Sequence, residues 1–442
     1  MFTTIEETLQ WIHGLIPHGI KPGTKRMEWM LARIDHPERN IRAVHVGGTN
    51  GKGSTVCYLW HIYQEAGFKV GTFISPYITS FNERIMVNGR PISDQDLIKA
   101  ANRVYPLTKA VDAETDLGEP TEFEVVTMLS FVYFGKMNKC DLVIYEVGLG
   151  GRLDSTNVIH PLVSVITNVA MDHMKQLGST IASIAREKAG IIKNGVGIIT
   201  TAEDPDALTV IRQTAEAKRS NLYVLGREFR VRSLGHDKMG EHFSFDALYL
   251  HEEDLAIRMK GEHQLKNAAA ALMAVEYLNT FYGITAEEDE IRSGLEKTAW
   301  PGRFEQMSAK PLIVIDGAHN VQGTEALVQT VTRYYSDRKI HVLYAALEDK
   351  QYVQMVRIIG KAAADLTLTT FAYPRAAGSE LLYKASGHDK KREIADWKDA
   401  LHRLIRETGE DEVLLICGSL YFISAVRHYL LDQVNDRQKH LS

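Results

Sequence analysis

Short apolar runs alternate with stretches in which apolar residues recur every third or fourth position, and the alternation continues along most of the chain. That is the pattern of parallel α/β units. In the first half it predicts strands at 41–46, 70–74, 142–147, 163–167 and 196–200, each too uniformly apolar for a sheet with one wet face, so helices should cover both faces. Val56, Leu59, Tyr63 and Ala66 follow the first strand at helical spacing, which makes residues 47–53 a loop running straight into a helix N-terminus. A β-rich patch over 223–259 interrupts the alternation before a strong helical pattern begins near Glu262. Further strands are expected at 312–316, 340–345, 366–371 and 412–417, with helical patterns between them. Trp300, Pro301, Gly302 and Arg303 punctuate the junction, and the chain reads as two α/β domains, residues 1–297 and 298–442.

Composition narrows the class. A chain of 442 residues is longer than one hydrophobic core usually serves, which agrees with two domains. With 45% hydrophobic and 24% charged residues it is neither disordered nor fibrous. Its 51 Lys and Arg nearly balance 56 Asp and Glu, so nothing points to nucleic acid, and any anion must be held by local geometry. Cys57, Cys140 and Cys417 are scattered and form no CxxC pair, so neither a disulfide framework nor a cysteine zinc site is implied, and a reducing cytoplasm fits best. The N-terminus is acidic where a secretory signal would be basic, and the most apolar stretch, 413–426, is shorter than the roughly 20 residues that span a bilayer, so no membrane is expected.

The loop after the first strand carries the clearest chemistry. Gly47, Gly48, Thr49, Asn50, Gly51, Lys52, Gly53, Ser54 and Thr55 stand between a buried strand and a helix, where free backbone N–H groups and the helix dipole attract phosphate. Lys52 adds a point charge, and Ser54 or Thr55 a hydroxyl for Mg²⁺. A glycine-rich connector with an exposed lysine is the other reading of such a cluster. The extra glycine between Lys52 and Ser54 departs from the common GxxxxGK[ST] spacing.

GTNGKGST at this position resembles the phosphate loop of the Mur ligase superfamily, and in particular its folylpolyglutamate synthase and dihydrofolate synthase family. The remainder of the chain is similar to that family in order. Ser75-Pro76-Tyr77 with Phe81-Asn82-Glu83-Arg84-Ile85 resembles its SPH…FxERI loop, and Glu146 to Asp154 its EVGLGGRLD segment. Asp172-His173, Arg186-Glu187-Lys188-Ala189-Gly190, His263 to Asn267, Gly302 to Glu305 and Asp316-Gly317-Ala318-His319-Asn320 follow. Tyr77 stands where many members have His, and Ser155 where a dual-function member has Ala; both touch on substrate range, not on ATP.

The resemblance implies a P-loop-containing N-terminal ATPase domain joined to a smaller Rossmann-like domain, with ATP as co-substrate. It implies nucleotide contacts from Gly48 through Thr55 and from Asn267, Arg303 and Asp316, with His319 near the phosphates, and Mg²⁺ on Ser75, Glu146 and His173. Glu146 ends an apolar strand, at the edge where open α/β sheets collect ligands, and magnesium prefers few oxygen ligands and several waters. A lone histidine such as His173 otherwise reads as a satisfied structural residue. Lys188 matches a lysine that the family carries as a carbamate; on spacing alone it reads as a helix-surface lysine. Thr121, Phe123, Glu124, Leu153, Asp154 and Ser155 match the border of a pteridine pocket, where Phe123 can either stack on a flat ring or serve as helix-start packing. Four loops, after Asp316, Ala345, Tyr373 and Gly418, share one edge of the second sheet and can face the phosphate loop across a cleft. The implied activity is ATP-dependent addition of L-glutamate to the γ-carboxylate of a reduced folate, with dihydropteroate as a second candidate acceptor, by a monomer. A ligase acting on a cell-wall nucleotide precursor, or a nucleotide-regulated binding protein without ligase activity, are the competing readings.

Overall fold

The computed structural model describes residues 1–19 and 21–439. The first sheet has eight strands: β1 (Ala43–Gly47), β2 (Val70–Phe73), β3 (Ile85–Val87), β4 (Arg90–Pro91), β5 (Leu142–Glu146), β6 (Val163–Ile166), β7 (Gly197–Thr200) and β8 (Leu222–Val224). They lie in the order β4-β3-β2-β5-β1-β6-β7-β8, with every neighbouring pair parallel except β2 with β3 and β3 with β4. Every residue of β1, β2, β5, β6 and β7 is buried, as a sheet covered on both faces requires. Alternate residues divide between the faces. Val44, Val46, Leu142 and Ile144 join the core beneath the helices Lys52–Glu65 and Glu262–Tyr282, whereas Ala43, Val143 and Tyr145 join that beneath Asp94–Glu114 and Glu122–Val132.

The β-rich patch is a separate antiparallel sheet of β9 (Arg230–His236), β10 (Glu241–Asp246) and β11 (His251–Ile257), whose inner face packs on the helix Glu262–Tyr282. That helix touches this sheet, the main sheet and the helix Lys52–Glu65 at once, and four successive alanines, Ala268 to Ala271, are fully buried. Four consecutive positions span a whole helical turn, so only small side chains let neighbours approach from every direction.

The second sheet contains β12 (Glu305–Ala309), β13 (Leu312–Asp316), β14 (Ile340–Tyr344), β15 (Asp365–Thr370), β16 (Lys391–Asp396) and β17 (Val413–Cys417) in the order β12-β13-β17-β14-β15-β16. All pairs are parallel except β12 with β13. The edge strands β12 and β16, like β3 and β4, escape the apolar-run pattern because they are half-exposed or very short. Residues 298–304 connect the helix Glu288–Lys297 to β12, with Gly302 and Phe304 at positive φ.

Among the described residues no helix is long and apolar enough to cross a membrane. The packing of the alanine-rich helix makes the first prediction: Ala270→Leu should destabilise the protein by about 1–3 kcal/mol through overpacking. A melting curve superimposable on that of the parent would refute this account of the helix.

Candidate functional site

In the first sheet β1 lies between β5 and β6, so the loop at its C-terminal end is flanked by Glu146 at the end of β5 and by Thr167 and Asn168 just past β6. Gly48 and Gly51 both have positive φ, and a Cβ at either would overlap the side chain of Thr167 or Asn267 respectively. Asn168 braces the loop from behind: its Oδ1 accepts the N–H groups of Thr49 (3.1 Å) and Asn50 (2.7 Å), and its backbone oxygen accepts Thr49 N–H as well. Thr167 Oγ1 donates to the Asn50 carbonyl at 2.6 Å. The helix starts at Lys52 without a side-chain cap, which leaves the amides of its first turn for an incoming anion.

Lys52 folds over this loop, with Nζ 3.2 Å from the carbonyls of Gly48 and Thr49. Burial pushes its pKa down, while Glu146 and Asp172 pull it up. Glu146 is buried; its Oε2 accepts Ser75 N–H at 3.3 Å, and loss of water raises its pKa against the opposing charge of Lys52. Ser54 and Thr55 are buried in the first turn of the same helix, and Gly53 packs beside Trp300 of the interdomain segment and faces Glu146. Asn267 is buried against Gly51, its Nδ2 donating to Gln264.

The second domain closes over this edge. Asn320, at the N-cap of the helix Val321–Tyr334, donates through Nδ2 to Asn50 Oδ1 (2.8 Å) and to Asp172 Oδ2 (3.2 Å). Gln322 Oε1 accepts from Asn168 Nδ2 (2.7 Å) and Asn50 Nδ2 (3.1 Å). Lys350, in the loop after β14, donates to Asp172 Oδ1 at 2.6 Å and to His173 Nε2 at 3.2 Å. The Asp172 carboxyl is held well below the usual carboxylate range; Lys350 supplies the largest pull, against the cost of burial. His319 Nε2 lies 4.0 Å from Asp172 Oδ2, and its Nδ1 lies 2.8 Å from the Gly317 carbonyl. Burial lowers both His173 and His319 to about 4, so both are neutral at physiological pH and keep a lone pair. Asp316 accepts Phe304 N–H and Ala318 N–H, and burial raises its pKa against the nearby Arg303 charge.

Among the described residues no three His, Cys, Asp or Glu side chains converge as a ready-made metal cluster. Of Ser75, Glu146 and His173, the Glu146 carboxylate is the donor that Mg²⁺ prefers, the remainder of its shell being water and phosphate. His173 Nε2 faces the Lys350 ammonium at 3.2 Å.

Lys188 is not a surface lysine. It sits on the helix Ile181–Ala189 with 3% of its surface exposed, and burial, aided by the charge of Lys52, lowers its amine to about 7. Spacing alone cannot reveal this, because burial depends on what packs over the helix in space; the glycine-rich loop lies on its backbone, with Gly151 against the carbonyls of Glu187 and Lys188.

The residues expected around the acceptor divide into two groups. Phe123 is partly exposed, stands 5.9 Å from the Phe73 ring and packs on Gly148; Leu153 is likewise partly exposed. Thr121 and Glu124 are instead a buried capping box for the helix Glu122–Val132, and both Glu124 oxygens also pair with Arg26 Nε at 2.9 and 3.0 Å. The Glu124 carboxylate thus joins two helices, whatever further contact it makes. Asp154 and Ser155 are buried, and Asp154 accepts Leu149 N–H (2.8 Å), Thr156 N–H (3.0 Å) and the Thr156 hydroxyl (2.5 Å), so it acts mainly on its own loop.

Sequence reasoning gave no role to Asn168, Asp172, Asn320 or Lys350. Asn168 had a usable signal, since it directly follows a buried strand at the ligand edge. The other three acquire their partners only when the domains meet.

Comparison with known proteins gives a consistent result. The Mur ligase middle domain pattern matches residues 46–275, and the Mur ligase glutamate ligase domain pattern matches 302–420. The dihydrofolate synthase/folylpolyglutamate synthase of Bacillus subtilis is 44% identical, over 97% of this chain and 100% of its own. The Mycobacterium tuberculosis folylpolyglutamate synthase solved with ADP and AMPPCP superposes with a TM-score of 0.89 at 28% identity, covering 96% of this chain and 98% of that one. Escherichia coli FolC in complex with DHPP and ADP gives a TM-score of 0.88 at 27% identity, covering 99% of each chain.

The bracing of the phosphate loop predicts that Asn168→Ala, which strips the Asn50 amide of its acceptor and leaves Thr49 N–H only the backbone carbonyl, weakens nucleoside triphosphate binding by about tenfold. Calorimetric titration checks this, and unchanged affinity in a folded variant would show that the loop holds its shape without Asn168.

Proposed function

The chain belongs to the Mur ligase family, among its folylpolyglutamate and dihydrofolate synthases, and on that premise we propose that it joins L-glutamate to the γ-carboxylate of a reduced folate at the expense of ATP, with dihydropteroate as a second acceptor. One observation carries the reading: Lys350 of the second domain meets Asp172 of the first beside the phosphate loop, so a nucleotide held there touches both domains. A non-ligase nucleotide-binding protein has no need of that second set of strand-end groups.

A carboxylate resists attack by an amine, so its oxygen must first be phosphorylated. The acceptor carboxylate oxygen attacks the γ-phosphorus of ATP, the bond to the β,γ-bridging oxygen breaks, and ADP leaves from an acyl phosphate. Such a transfer asks chiefly for alignment and charge neutralisation. The first-turn amides and Lys52 hold the phosphates from one side, and Arg303, Lys350 and His319 face them from the other. Asp316 and Asn267 lie where the nucleoside would extend. Bound Mg²⁺ on Ser75, Glu146 and His173 would neutralise phosphate charge. The neutral amine of glutamate then attacks the acyl carbon, phosphate leaves, and the amine's surplus proton passes to solvent. Closure of the two domains keeps water from the acyl phosphate.

We place the acceptor toward Phe123 and Leu153, whose partly exposed apolar side chains suit the flat face of a pterin. Dihydropteroate ends one glutamate nearer the ring, so it must seat differently to offer its carboxylate to the same phosphorus. The decisive experiment measures ADP release with a panel of carboxylates. Release should require both glutamate and a folate or pteroate, and the product should gain one glutamyl unit by mass; turnover confined to a muramyl nucleotide precursor would overturn the substrate assignment.

Lys188 enters this reading as a carbamate. Its neutral nitrogen adds to carbon dioxide, an N–C bond forms, one N–H proton is released to solvent, and a buried cation becomes an anion able to support the metal. Because the amine titrates at about 7, the reactive neutral form grows as pH rises through that value and is lost below it. With ¹³C-labelled carbon dioxide at fixed pressure, a carbamate signal should rise from about pH 6 to about pH 8 and be missing from Lys188→Gln. A wild-type protein without that signal would exclude the modification.

A further inference from the structure

The strand that carries the phosphate loop also carries a histidine that the chemistry above does not use. His45 lies in β1, two residues before Gly47, fully buried, with Nε2 2.8 Å from Thr156 Oγ1 and with no partner for Nδ1. Thr156 is also fully buried, and its hydroxyl reaches Asp154 Oδ1 at 2.5 Å. The same oxygen accepts Thr156 N–H, and Oδ2 accepts Leu149 N–H, so Asp154 closes the loop over residues 149–156.

The direction of this chain of hydrogen bonds follows from counting protons. Burial holds His45 neutral, pushing its pKa down to about 3, with the Lys193 charge acting in the same direction. A neutral imidazole has one N–H and a hydroxyl has one O–H. With the proton on Nδ1, a buried donor would be left without an acceptor, and Thr156 would have to turn its proton away from the carboxylate. With the proton on Nε2, His45 donates to Thr156 and Thr156 donates to Asp154. Only a ring lone pair then lacks a partner, which costs less than an unmade N–H bond together with the loss of the Thr156 hydroxyl bond to the carboxylate.

We propose that His45 is a positioning residue for the acceptor: through Thr156 it fixes Asp154, and so locks the acceptor loop, residues 148–156, to the strand that places the phosphate loop. The inference rests on the reading of that loop as acceptor-binding. Its physical basis is alignment. The two loops leave neighbouring strands, β1 and β5, and their relative placement sets the distance between the acceptor carboxylate and the γ-phosphate. His45 cross-links them from inside the core, where no solvent competes for its hydrogen bond.

The test separates acceptor from nucleotide. Thr156→Val keeps the shape and removes the hydroxyl; Thr156→Ser keeps the hydroxyl. Thr156→Val should raise KM for the folate or pteroate about tenfold while affinity for a non-hydrolysable ATP analogue stays within about twofold, and Thr156→Ser should restore the parental KM. Parallel loss of nucleotide and acceptor binding, or an unchanged acceptor KM, overturns the proposal. A second measurement needs no variant: ¹⁵N spectra of histidine-labelled wild-type protein should show His45 protonated at Nε2, and an Nδ1–H tautomer overturns the relay. Absence of any turnover with folate or pteroate would sink the functional reading instead, and the tautomer would still decide whether the relay exists.

Discussion

Lys188, Arg303 and Lys350 all stand within electrostatic reach of Lys52, at the meeting of two sheet edges. Burying like charges together is costly, and the rest of the site answers that cost. Glu146, Asp154, Asp172 and Asp316 supply the opposing charge, and the amine of Lys188 comes down to about 7. The named charges offset one another, and the place left for a polyphosphate is the uncapped first turn after the phosphate loop, beside Lys52. The chemistry of the cleft follows from where that anion must lie.

The same constraint explains why two domains are used. A single α/β edge can present first-turn amides and one lysine, but these hold a phosphate chain from one side only. Asn320, Gln322 and Lys350 arrive from the second sheet and engage Asn50, Asn168, Asp172 and His173. These contacts are amides and ion pairs, not apolar packing, and such polar contacts can be exchanged for ligand contacts at lower cost than a packed apolar interface. Elsewhere the domains are joined more firmly. Arg427 pairs with Glu305 and reaches Thr79 Oγ1, and the Ser424 hydroxyl donates to the Ile78 carbonyl, fastening the loop after β2 to the last helix.

The acceptor side obeys a different rule. Its motif residues include several whose polar atoms are consumed inside the protein: Glu124 in the capping box and the Arg26 pair, Asp154 in its own loop. Phe123 and Leu153 are the members of these motifs that keep a partly exposed apolar face. Buried polar groups here serve to hold loops at a fixed angle to the phosphate loop, and His45 is the deepest of them.

The sequence by itself determined the strand-and-helix alternation, the central strands of both sheets and the loop chemistry at their ends, because apolar periodicity and glycine placement are local signals. It also marked Lys52, Glu146, Asp316 and His319 through the company they keep in the chain. Edge strands such as β12 and β16 stayed hidden because an exposed edge has no apolar run to betray it. Burial and partnership were decided only by tertiary structure. Lys188 becomes an amine titrating near 7 because it is buried near the Lys52 charge, Glu124 pairs with Arg26 across 98 residues, and Lys350 joins the site because a second domain carries it there. Desolvation and long-range pairing depend on what surrounds a side chain in space, and no window along the chain contains that information.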